Sequence, residues 1–314
     1  MIWLTWRHQR TETLIAVAVL VLAAAALVPI GLHMSSVYDS EGLASCLADS
    51  GGRCGAAVNS FDGRFEHLGG LISWFNLLPG LLGILLAAPF VLELEHGTFR
   101  LAWTQSITRR RWLTTKLGLI GLGSIGAALG LTVLMTWWRA PLDHLHGRME
   151  TNVFDFEGIV PFAYTLFAVA LVIAAGVLLR RTVLAIGISF VGYLALRLAI
   201  QTWVRQNYVA PIRKVWLVGT PGPANLGTAW NLQNSPSDRF GHPYSNIDFV
   251  ASTCTHSTKA TLASCARAHD LYNLAVYQPA SRFWLFQGIE TAIFGGLALA
   301  LLALAVWWVR NRVS

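Results

Sequence analysis

The stretch ELEHGTFRLAWTQSITRRRW, residues 93–112, lies between two long apolar runs. It is too polar to sit in lipid and too apolar to be a plain linker. What it does depends on what flanks it. The chain has 314 residues, of which 54% are hydrophobic and 12% charged; soluble domains carry about 25% charged residues. The apolar residues gather in six blocks, roughly 14–32, 71–92, 113–138, 159–179, 182–203 and 283–308. Each is near or above the ~20 residues that cross a bilayer as a helix. Apolar content throughout each block favours helices over the alternating strands of a barrel. The expected fold is an all-α membrane protein with six transmembrane helices.

Basic residues orient such a chain. With six spans both termini share a side. That side holds Arg7, Arg10, Arg100, Arg109, Arg110, Arg111, Lys116, Arg180, Arg181, Arg310 and Arg312, against only Glu12, Glu93 and Glu95. The opposite side holds twelve acids, among them Asp39, Glu41, Asp49, Asp62 and Glu66. The expectation is cytoplasmic termini in a bacterial plasma membrane. The net charge of +7 is then an orientation and anionic-lipid signal and calls for no nucleic acid. Trp112, Trp307 and Trp308 mark one set of span ends, and Trp74, Trp137, Trp138, Trp203 and Trp284 the other, as amphipathic indoles do at headgroup level. No small-residue cleavage site follows the first run, so it reads as a span and not as a cleaved leader.

All four cysteines fall on the expected outer side, Cys46 and Cys54 in the first loop, Cys254 and Cys265 in the last. Three pairings are open. The local pairs Cys46–Cys54 and Cys254–Cys265 are the simplest in an oxidising exterior. Free thiols and zinc are the alternatives, although neither spacing matches a zinc module.

Four parts follow. Residues 1–12 read as an interfacial amphipathic helix, with Ile2, Trp3 and Trp6 on one face. Residues 13–203 hold spans one to five. Residues 204–281 form a large extracellular segment, whose glycine, proline and asparagine clusters and semi-apolar runs such as LYNLAVY (271–277) suggest short helices. Residues 282–314 are the sixth span and its tail. Arg180-Arg181 makes a tight hairpin of spans four and five. Gly126 and Gly130 form a small-xxx-small pair.

Within residues 93–112, Gly97 ends one helix and Thr98 is placed to cap another. Apolar residues then recur at helical spacing, Phe99, Ala102, Trp103, Ile107. Thr108 is placed to cap the third span, which begins at Arg109. The stretch therefore reads as a short amphipathic helix lying across the cytoplasmic end, joined rigidly to two spans.

On these residues the chain resembles the permease subunits of ABC exporters, in the type-two permease superfamily. The matching residues are Glu93, Glu95, Gly97, Thr98, Thr108, Arg109, Arg110 and Lys116. The topology agrees over the whole chain, and the motif covers about 25 residues. The first outer loop is longer here and carries cysteines, unlike the family pattern. The resemblance implies a non-enzymatic transport subunit that pairs with a second copy or a homologous permease. It also implies a separate ATP-binding cassette ATPase that docks on the coupling segment. Glu93, Glu95, Gly97, Thr98, Phe99, Arg100, Trp103, Ile107 and Arg109 would couple to that ATPase, which would bind the ATP and Mg. The cargo would be a hydrophobic or amphipathic drug, peptide or lipid moved outward. No G-x-x-x-x-G-K-[ST] loop for triphosphate occurs in the chain, so no nucleotide cofactor is expected in it. The plainer reading is that residues 93–112 only anchor a loop to lipid. Glu93 and Glu95 argue against it, because an anionic surface repels carboxylates. Another class of function is a sensory or scaffold protein that binds a ligand at its cystine-bearing outer loops.

Two charges fall inside spans, Arg197 and Glu290, at nearly the same depth from the outer ends. A charge there costs roughly 2.5–3.5 kcal/mol on insertion scales, so an ion pair is expected. Its role is either to lock spans five and six or to flank a polar gate. Asn76 and Gln287 are further polar groups that could line a path or glue helices. Asp143-His144-Leu145-His146 reads as a solvated loop and not a metal site. With no H-E-x-x-H or G-x-S-x-G motif, no catalytic or metal residues are assigned.

Overall fold

The computed structural model describes residues 2–48, 54–66, 68, 74–98, 108–223, 226–244, 253–254 and 259–312, with backbone alone for 2–9, 48, 109 and 259–260. The described residues are mostly helical and include six helices long and apolar enough to cross a membrane: Arg10–Ser40, Leu78–His96, Arg110–His146, Val160–Leu179, Thr182–Asn207 and Ala280–Arg312. They coincide with the six apolar blocks. The chain divides into two compact units. The first comprises Met1–Pro141, Asn152–Ile200 and Gln287–Ser314, and the second Leu142–Thr151 and Gln201–Phe286.

The first unit begins with α1 (Ile2–Ser40), a single unbroken helix. The expected interfacial residues 2–12 thus continue directly into the first span. Two short helices follow, α2 (Leu43–Ala48) and α3 (Gly55–Phe65), stapled by the Cys46–Cys54 disulfide. The remaining helices are α4 (Leu78–His96), α5 (Arg109–His146), α6 (Thr151–Phe154), α7 (Val160–Leu179), α8 (Thr182–Ala199) and, at the end of the chain, α10 (Phe283–Arg312).

Helices α4 and α7 are the centre of this unit. Their best apolar windows are 61% and 67% buried, against 17% for the first span. Glycine allows the contact. A Cβ at Gly83 would meet the Thr165 carbonyl oxygen at 2.5 Å, and one at Gly176 would meet Val91 Cγ2 at 2.4 Å. Small residues let helix backbones approach where no hydrophobic force acts between them. These pairs join early residues to early and late to late, so spans two and four run parallel. Gly80, early in α4, backs onto Tyr193, late in α8, so spans two and five run antiparallel. These are the relative directions that successive crossings require of the second, fourth and fifth spans.

The second unit corrects the sequence reading. Residues 204–281 contain a three-stranded antiparallel sheet, not short helices alone, so the chain is mostly helical rather than all-α. The strands are β1 (Ile212–Leu217), β2 (Trp230–Ser237) and β3 (Tyr272–Gln278), in the order β1-β3-β2. The run read as semi-apolar helix is β3. It is the central strand, with Leu274 and Ala275 both buried, so it lacks the polar–apolar alternation of a half-exposed strand. Between β2 and β3, α9 (Lys259–Ala268) carries Cys265, bonded to Cys254. Both disulfides are the local pairs. Gln278 closes the sheet by donating to the carbonyls of Gln206 and Val209 at 3.1 and 2.6 Å.

After β2 the chain turns over Asp238. Its carboxylate accepts the Phe240 and His242 backbone N–H groups, both at 2.8 Å, and meets His242 Nδ1 at 2.9 Å. The His242 backbone N–H, with that ring and Phe240, holds the Asp238 carboxyl below the ordinary aspartate range. The folded value is the lower one, so the turn keeps its full stabilisation above the ordinary aspartate pKa of about 3.9 and loses it as pH falls through the folded value. Hydrogen-exchange protection of Phe240 and His242 is expected to drop over that acidic range in the native chain, and to show no such step in Asp238→Asn.

Candidate functional site

Two polar networks sit at opposite ends of α4. The first is at its C-terminal end, where residues 93–112 begin. Gly97 closes α4 in the left-handed conformation, φ 69°, a backbone state open to glycine at no steric cost. The Thr98 hydroxyl donates toward the Glu93 carbonyl at 3.5 Å, and the residues it is expected to cap lie outside the described ones. Thr108 does cap the next helix, its Oγ1 accepting the Arg111 backbone N–H at 3.3 Å. Phe99, Arg100, Trp103 and Ile107 lie outside the described residues, and Arg109 opens α5.

The two carboxylates before this segment have internal partners. Glu93 forms a salt bridge with Lys116 of α5, which is 5% exposed. Glu95 Oε2 accepts the backbone N–H of Thr182 at 2.9 Å. Thr182 is the first residue of α8, whose opening N–H groups have no partner within the helix. A carboxylate there also meets the positive end of the helix dipole. One turn of α4 thereby fastens the starts of the third and fifth spans. Sequence reading foresaw acids at this point but not these partners, which lie 23 and 87 residues away.

The second network is at the N-terminal end of α4 and is buried. Arg197 Nη2 contacts Asp155 Oδ2 at 2.9 Å, and its Nη1 donates to the Asn76 backbone carbonyl. The Asn76 amide donates to the Asn152 carbonyl at 3.0 Å. Tyr164 Oη lies 3.0 Å from Asp155 Oδ1 and is also bonded to Glu290. Asp155 and Glu290 are fully buried and Arg197 is 4% exposed. Gln287 accepts the backbone N–H groups of Ile159 and Val160, both at 2.9 Å, and donates to the Phe154 carbonyl at 3.0 Å. It caps α7 from the sixth span, leaving no room at Gly158 for a side chain.

Arg197 and Glu290, expected as a pair, are linked through a chain, Arg197–Asp155–Tyr164–Glu290. Asp155 and Glu157 are among the twelve acids on the side opposite the termini. The turn between α6 and α7 folds them inward instead, and Glu157 faces Arg139 at 3.6 Å. Tyr164 and Asp155 carried no motif in the sequence, and an acid four residues before a span was the only signal available. No group of three or more metal-ligating side chains occurs among the described residues.

A family model described as ABC-2 membrane transporter related matches residues 17–205. The chain belongs to that family. No curated protein and no solved structure matches it. The match runs from within the first span past the end of α8. It thus includes the brace and most of the buried network of this ABC-2-type permease, but not Gln287 or Glu290 of the sixth span.

Two outcomes are expected of variants. Asp155→Asn leaves a buried guanidinium unanswered and should cost about 3–5 kcal/mol, while Asp155→Asn with Arg197→Met should recover most of it; thermal unfolding of the purified permease in detergent measures both. Glu95→Ala should lower the exchange protection of the Thr182 amide through loss of a helix cap, and Glu95→Gln, which keeps an acceptor oxygen, should lower it much less.

Proposed function

We propose that this permease is the membrane half of an ATP-driven exporter, worked from its cytoplasmic end by a separate ATP-binding cassette ATPase. The observation that carries the reading is the double brace at Glu93 and Glu95. A body gripping residues 99–107 would pull on α4 directly, on α5 through the covalent link and Lys116, and on α8 through Thr182. Force applied at one short segment would then reach three spans at once. The charge distribution supports this end as cytoplasmic, and two disulfides support an oxidising compartment for the opposite loops.

The nucleotide chemistry belongs to the partner chain, which would bind ATP and Mg. The permease would act as a pair, with a second copy or a homologous permease, in a bacterial plasma membrane. Its cargo would be apolar or amphipathic, in keeping with its apolar spans. Phe99 and Trp103 are the aromatic anchors on which docking would rest, whereas Glu93 and Glu95 hold the spans behind them.

Purification of the tagged permease from its native membrane should bring down an ATPase. Phe99→Ala or Trp103→Ala should weaken that association about tenfold, as loss of a buried aromatic anchor does. An ATPase retained at full yield by both variants would place the docking surface elsewhere.

A further inference from the structure

The second unit includes the ends of two spans, the fifth running to Asn207 and the sixth starting at Ala280. Trp203 and Trp284, 71% and 58% exposed, stand on these ends as indoles do at headgroup level. The sheet is fastened there. Besides the two bonds from Gln278, Arg282 donates to the Ala210 carbonyl at 2.8 Å and to Gln278 Oε1 at 2.6 Å. Arg213 of β1 is opposite Val276, two residues before Gln278. Two strand residues span about 7 Å, and the polar zone of a bilayer is about 5–7 Å deep on each side. Arg213 therefore stands at headgroup height.

The turn after β2 folds back to the same height. Its Gly241 packs against β1, where a Cβ would stand 3.0 Å from Val215 Cγ2 and 3.1 Å from Arg213 Nη2. Arg213 donates to the Gly241 carbonyl. Asp238 holds the turn from within, and the Tyr244 N–H closes it on the Pro236 carbonyl at 3.0 Å. This fixed backbone turns Phe240 outward, 67% exposed, with the Arg239 guanidinium 4.7 Å from its ring centre. Arg213, Arg239 and His242 are exposed beside it.

Among the described residues neither arginine forms a salt bridge, because the nearby Asp238 carboxylate is taken up by the turn and by His242. Residues 201–286 hold seven arginines and lysines against three aspartates, so the surplus charge is positive. Orientation does not account for it, since long segments cross a membrane largely regardless of charge. A rigid aromatic tip flanked by cations at this height matches an anionic lipid surface. The ring enters the boundary layer, and the guanidinium groups stay with the phosphates. We propose that the turn Asp238–His242 and Arg213 form a contact for anionic phospholipid headgroups, seating the second unit on the bilayer. This depends neither on the ATPase nor on the cargo.

The test exploits the cysteines. All four are in disulfides, so an introduced cysteine is the sole free thiol. In the full-length protein in lipid nanodiscs, a nitrobenzoxadiazole label on Phe240→Cys should emit farther to the blue when phosphatidylglycerol is present than in pure phosphatidylcholine. Doxyl-labelled lipid should also quench it more. High salt, or Arg213→Gln with Arg239→Gln, should return both readings to the phosphatidylcholine level. Arg239→Gln alone, which leaves the bonds of the turn intact, should return them part of the way. Water-like emission in both kinds of disc overturns the proposal. So does shielding that is equal in both, which reports a protein neighbour such as a second copy, or no response to Arg239→Gln.

Discussion

A guanidinium buried in an apolar bundle must be answered by a carboxylate, and Arg197 is answered by Asp155. The cost of an unanswered charge in lipid makes this contact a condition on the rest of the fold. Asp155 can reach Arg197 only if the turn before α7 folds inward. The inward turn brings Tyr164 to Asp155 and, through Tyr164, the sixth span to the fourth. Asn76 adds its backbone carbonyl from just before α4. One charge on the fifth span thereby organises the ends of the second, fourth and sixth. The Tyr164 ring adds a face to the same cation, 4.7 Å from its centre.

Helix α4 carries this constraint to the opposite end. From Leu78, just after Asn76, to Glu95 is about 26 Å of helix at 1.5 Å per residue. Between those points α4 touches α7 through the glycines at 83 and 176, so closely that no side chain fits. Backbone against backbone is a stiff contact, because interiors are close-packed and deform little. A displacement at Glu93 and Glu95 is therefore not absorbed by soft side chains along the way.

The six spans were legible because each is a continuous apolar window, a signal that needs no partner to be read. The disulfides were legible because each closes a short loop. The partners of Glu93 and Glu95 were not. Lys116 lies 23 residues on and looks like one more orienting cation. The Thr182 contact is made by a backbone N–H, which no sequence displays. Asp155 was hidden for a related reason: an acid beside a span reads as solvated unless the arginine that turns it inward is known. The sheet was missed because β3 is covered on both faces and flanked by residues that serve loops and helix caps equally well. Charge alone told that Arg197 and Glu290 needed company, and the residues between them had to come from the fold.

The link between α7 and α8 is two residues long. Arg180 ends α7 in the left-handed conformation at φ 53°, its N–H returning to the Gly176 carbonyl, and Arg181 is extended at the start of α8. A connection so short has no slack. The fourth and fifth spans can pivot about it, but neither can slip past the other by a helical turn. Any passage that opens between them must therefore open as a wedge, narrow at the arginine pair and widest at the far end.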